Sequence, residues 1–117
     1  MIVGTLRILP SPNRSGEVLE ILRSIQGSVL AQPGCAACHI YAEEGSDGAI
    51  VLVERWESDT ALQAHLRSEA YRRILGAIEL SGSPPEVCFD FVSASEGMDF
   101  IERSRNPLSP LDGDFEK

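Results

Sequence analysis

Residues 2–9, "IVGTLRIL", are mostly β-branched or apolar and stop at Pro10, a pattern that predicts a strand. The breaker "PSPNR" follows, with Asn13 as the expected N-cap of a helix. Val18, Leu22, Ile25 and Val29 then recur at helical spacing and form one apolar face, which ends at "QPG". Residues 35–43 give a second strand, and "EEGSDG" is a Gly- and Asp-rich turn. "AIVLVERWE", residues 49–57, is the clearest strand of the chain. Ser58 can cap a second helix that runs to about residue 80 with a break near Ser68, and "SGSPP" ends it. "EVCFDFVSA", residues 86–94, alternates again and predicts a fourth strand.

The predicted order is β-α-β-β-α-β, a ferredoxin-like α+β fold in which a four-stranded antiparallel sheet carries its helices on one face. That leaves the other face open. Strand 49–57 is apolar on both sides, with Ile50 and Leu52 pointing one way and Val51 and Val53 the other. Helices can cover one set only. The Val51 and Val53 face therefore predicts a homodimer pairing sheet to sheet. Residues 1–95 form the expected domain. Residues 96–117 are expected to add a short helix over about 95–104 and an extended tail, "NPLSPLDGD". There Phe100, Ile101, Leu108 and Leu111 are candidates to dock on the partner subunit.

Charge narrows the partners. Eighteen acids against ten bases give a net charge of −8, which argues against nucleic-acid and anionic-membrane surfaces. No apolar run is long enough to span a bilayer, and "MIVGTLRILP" lacks the basic and apolar regions of an export signal. A cytoplasmic protein with reduced thiols is the expectation.

The run Cys35-Ala36-Ala37-Cys38-His39 matches the C-x-x-C-H spacing of covalent haem attachment. On a regular strand, residues three apart face opposite sides and lie roughly 10 Å apart, beyond disulfide reach. The expected reading is two cysteines in a sheet, with no covalent haem, no Cys35–Cys38 bridge and too few ligands for zinc. His39 is expected to face solvent or the dimer interface.

His65 follows Leu62 by three and Ala61 by four, so it should turn with them toward the sheet. Two readings stand there: a satisfied core histidine, or a general base at an apolar pocket. Trp56 ends the central strand as a core aromatic or as a wall for a flat ring. Glu54 shares its face and needs a buried partner, for which Arg7, Arg72 or Arg55 is available. Tyr41 and Tyr71 are candidate hydrogen-bond donors to a bound ligand and could equally be packing at the rim. No dinucleotide-binding or phosphate-loop glycine motif, zinc pattern or nucleophile elbow appears.

The stretch "PGCAACHIYAEEGSDGAIVLVERWESDTALQAHLRSEAY" resembles the central signature of the antibiotic biosynthesis monooxygenase family. The matching features are Pro33-Gly34, Tyr41, Glu54-Arg55-Trp56-Glu57-Ser58 and Ala61-Leu62-Gln63-Ala64-His65. The resemblance spans roughly residues 1–94 and implies a dimeric α+β barrel. The family includes cofactor-free monooxygenases of quinols and phenols, haem-degrading enzymes and an isomerase. The haem-degrading pattern is not met, because Leu6, His65 and Leu75 stand where that branch has asparagine, tryptophan and histidine. The resemblance thus implies a monooxygenase that oxidises a quinol or phenolic aromatic with O₂ and no cofactor. His65 is its expected base, and Trp56, Tyr41, Tyr71 and Glu54 its expected substrate contacts. The alternative is a non-catalytic dimer of the same fold that binds a small ligand or serves assembly.

Overall fold

The computed structural model describes residues 1–106. Strands β1 (Ile2–Ile8), β2 (Cys35–Ala42), β3 (Ile50–Trp56) and β4 (Glu86–Phe91) form one sheet in the order β2-β3-β1-β4. Every neighbouring pair is antiparallel. This is the ferredoxin-like α+β arrangement predicted from the pattern. Helices α1 (Ser15–Leu30), α2 (Asp59–Leu66) and α3 (Glu69–Ile78) belong to the folded body, and α4 (Met98–Arg105) follows β4.

Period-two alternation fixes which side of the sheet is covered. Along β1, Ile2, Leu6 and Ile8 are buried, as are Ile50, Leu52, Glu54 and Trp56 along β3. These residues share the inner face. Helix α1 lays Val18, Leu22, Ile25 and Val29 onto it, the four positions picked out by spacing. Ile74 and Ala77 of α3 complete the core.

The second helix is broken at Ser68 as expected. Ser58 accepts the Ala61 N–H and Ser68 accepts the Tyr71 N–H, so each serine caps the helix that follows it. The cap expected at Asn13 is not there. Asn13 lies in the left-handed region at φ 69°, where asparagine is tolerated, and Arg14 holds the N-cap position without a side-chain bond. Strand β4 is shorter than the pattern suggests, and its inner residues Val87 and Phe91 are exposed because no helix extends over that edge.

The outer face is mixed. Val51 and Val53 are half-buried there, beside Thr5, Arg55, His39 and Tyr41. Arg7 crosses it, held by Glu43 through Nε at 2.7 Å and Nη2 at 2.9 Å, and by Glu86 through Nη1 at 2.8 Å. Helix α4 contains no buried residue. The expected docking of Leu108 and Leu111 and the extended tail lie outside the described residues.

Candidate functional site

Four segments converge under the helices. Strand β3 turns Glu54 and Trp56 inward, α2 brings His65 down onto them, α3 supplies Tyr71 and the loop after α1 supplies Gln32. Gly34 makes that loop possible. It sits at φ 83°, and a Cβ there would collide with Ala61 Cβ, so glycine lets the chain touch α2 in a left-handed conformation. Its carbonyl accepts the Glu57 N–H at 2.8 Å, which ties the loop to the end of β3.

The result is a polar cluster set in an apolar core, whose Gln32, His65 and Ser68 edge also lines a surface pocket beside α2. Trp56 is fully buried and His65 is 1% exposed. Their rings stack with centroids 4.4 Å apart, and Tyr71 meets His65 edge-on at 5.2 Å. His65 Nε2 lies 3.0 Å from Glu54 Oε1 and 3.1 Å from Oε2, while Nδ1 lies 2.8 Å from Gln32 Oε1. The Trp56 indole N–H donates to Glu54 Oε1 at 3.2 Å. The buried carboxylate therefore has the partners that burial demands. They are His65 and Trp56, not the arginines expected from sequence: Arg7 is spent on Glu43 and Glu86, and Arg72 faces Glu69.

Glu54 also reaches a narrow cleft on the uncovered β4 side, bounded by Gly4, Leu6, Leu52, Tyr71, Val87 and Phe89. Its volume is about 20 Å³, space for a single water. Phe89 lies across Gly4, where a Cβ would press the ring at 3.2 Å. Burial, reinforced by the Glu54 carboxylate, raises the Tyr71 phenol above its ordinary value, so Tyr71 remains a hydrogen-bond donor at neutral pH.

Of the residues predicted for the site, His65, Trp56, Glu54 and Tyr71 come together. Tyr41 does not. It pairs with Val51 on the outer face, is 52% exposed, and has His39 as its ring neighbour at 6.1 Å. Gln32 and Ser68 were missed as site residues. "QPG" and the helix break located both positions, and Ser68 lies three residues after His65, within reach of its carbonyl, but no spacing revealed the contact of Gln32, thirty-three positions away.

The cysteines need a second correction. A bulge between Cys35 and Ala37 inserts one residue, so Cys35 pairs with Trp56 and Cys38 with Glu54. Both cysteines therefore share the inner face instead of diverging. Both are free thiols, and burial pushes that of Cys38 up to about 12. Among the described residues no three His, Cys, Asp or Glu side chains gather as a metal site.

Comparison with known proteins agrees with this architecture. The family model described as antibiotic biosynthesis monooxygenase matches residues 1–77. A solved antibiotic biosynthesis monooxygenase superposes with a TM-score of 0.71 at 20% identity, covering 80% of this chain and 100% of its own. A Mycobacterium tuberculosis protein gives 0.74 at 24% identity, covering 82% and 98%. A Methanosarcina mazei protein gives 0.71 at 20% identity, covering 76% and 89%. No curated protein sequence matches the chain. The chain belongs to the antibiotic biosynthesis monooxygenase family.

Proposed function

We propose that this family member is a cofactor-independent monooxygenase acting on an electron-rich phenol or hydroquinone in the cleft between α3 and β4. The observation that carries the reading is the Glu54–His65 pair, an acid–base couple shielded from water whose carboxylate borders the cleft beside a phenol donor, Tyr71. Ground-state O₂ is a triplet and does not react directly with closed-shell molecules. A phenolate can give it one electron, so the protein has to take a proton, hold a flat ring and exclude water.

In this scheme the substrate hydroxyl gives its proton to Glu54, and His65 acts as base through that carboxylate. The phenolate passes one electron to O₂, and the radical pair combines to a C–O bond. Collapse of the peroxide leaves a ring carbonyl and releases the second oxygen as water. A phenol with a free ring C–H plus O₂ thus gives a quinone plus water, with no outside reductant. A hydroquinone plus O₂ gives quinone and hydrogen peroxide by the same first steps. Trp56 backs the imidazole at 4.4 Å and supports its charged form. Phe89 has to swing off Gly4 to admit a ring, since the cleft is otherwise filled.

The same tightness favours a second reading, a non-catalytic dimer whose buried polar cluster serves stability. Oxygen uptake with a panel of phenols and hydroquinones separates the two. Glu54→Gln should fold and lose roughly a hundredfold in rate, the scale of a lost general base. No uptake with any member of the panel favours the module. The dimer is proposed through the face that carries Val51 and Val53. Val51→Asp should then dissociate it, and a wild-type monomer in sedimentation would refute it.

A further inference from the structure

We infer that Gln32, clamped by Ser68, is a positioning residue that fixes His65 as its Nδ1–H form, so that one extra proton is stored between His65 Nε2 and Glu54. The reasoning starts at Ser68. Its hydroxyl has one hydrogen, which it donates to the His65 carbonyl at 2.7 Å. It accepts the Tyr71 N–H at 3.1 Å as the cap of α3. The contact with Gln32 is longer, at 3.3 Å, so the hydroxyl hydrogen stays with the nearer carbonyl and Gln32 Nε2 is the donor. Were the amide reversed, the Ser68 hydrogen would have to leave the 2.7 Å contact with the His65 carbonyl for a 3.3 Å contact with the Gln32 oxygen.

With Gln32 Nε2 committed to Ser68, Oε1 is what His65 Nδ1 meets at 2.8 Å. An amide oxygen only accepts, so Nδ1 carries the hydrogen. In a neutral ring the other nitrogen then has a bare lone pair, and that nitrogen lies 3.0 and 3.1 Å from the two oxygens of Glu54. A lone pair against an ionised carboxylate is repulsive. A proton between them makes a hydrogen bond, shared by both oxygens when drawn as imidazolium with carboxylate and made by one of them when drawn as imidazole with carboxylic acid.

Two further features agree. The side chains are 0% and 6% exposed, and a pair with no net charge avoids burying an isolated anion. The ring also stacks on Trp56, whose face favours a cation. The other titratable groups facing the pair are Tyr71 on α3 and the thiols of Cys35 and Cys38 on β2, all of which burial keeps protonated. Among the described residues no arginine or lysine bonds Glu54, so the stored proton is its cationic partner.

The proton's location rests on hydrogen-bond geometry and stands apart from the proposed activity. Its consequence for turnover rests on the oxygenase reading: the pair is loaded at rest and must unload before it can take a substrate proton.

The test is ¹⁵N nuclear magnetic resonance of the ring nitrogens. The chain has two histidines, and His39 lies exposed on the outer face, so His65 can be assigned and followed by itself. In the wild type at neutral pH, Nδ1 of His65 should give a protonated-type resonance. Gln32→Leu should convert the ring to the Nε2–H form, and Gln32→Glu, which restores an acceptor, should return the hydrogen to Nδ1. A bare Nδ1 in the wild type overturns the inference, and so does a protonated Nδ1 that persists in Gln32→Leu. If Gln32→Leu fails to fold, the wild-type spectrum and Gln32→Glu still decide. Absence of oxygenase activity would leave these spectra unchanged, so the two ideas fail separately.

Discussion

The sheet carries an acid–base pair on each face, and the two behave differently. Inside, Glu54 meets His65 with side chains 6% and 0% exposed. Outside, Arg7 meets Glu43 with side chains 31% and 36% exposed. The outer pair has the better geometry, a two-pronged guanidinium–carboxylate contact at 2.7 and 2.9 Å. Its energy is nevertheless small, because water and salt screen it and either partner can be solvated if the other is lost. The inner pair has no such refuge. Every lone pair and hydrogen must find a protein partner, which draws in Trp56, Gln32 and Ser68. Burial, more than contact distance, decides how much of the surrounding structure an ion pair commands.

The comparison breaks most visibly at Glu54. Glu54→Leu leaves the Trp56 N–H and His65 without their acceptor in a dry site. It should lower stability by about 3 kcal/mol or more, read from the urea midpoint, whereas equal losses at Glu54 and Arg7 would erase the distinction. Ser68→Ala comes next. It removes the cap of α3 and the clamp on Gln32 and should cost about 1–2 kcal/mol, with the α3 amides exchanging faster with solvent. Arg7→Ala on the outer face should cost the least of the three, and that cost should shrink in high salt.

Acid sharpens the contrast on the outer side. The Arg7 guanidinium holds the Glu43 carboxyl below its ordinary value. A carboxylate depressed on folding adds stability that is fully present above its unfolded value and is lost as pH falls through the folded one. The Arg7 contribution should therefore persist through mildly acid pH and vanish below the usual carboxylate range, checked by comparing wild type and Arg7→Ala unfolding across that window. The smallest effect concerns thiols. Cys38, pushed up to about 12 and fully buried, should resist alkylation in the native protein, while the exposed Cys88 is modified first. Mass spectrometry after brief treatment with iodoacetamide checks the order.

Much of this molecule is written in local pattern. Period-two and helical spacing located all four strands, the α1 stripe and the serine that splits the second helix, because those signals depend on neighbours a few residues away. The same pattern put Glu54 and Trp56 on one face and turned His65 toward it. Tertiary structure decided the rest. It chose His65 over the arginines as the partner of Glu54, since a charge excluded from water takes the group that packing delivers. It sent Tyr41 to the outer face and, through a single bulge, returned Cys35 to the side of Cys38. It also brought Gln32, thirty-three positions from His65, within 2.8 Å of the ring. No local period encodes that approach, because it exists only once Gly34 lets the loop lie against α2.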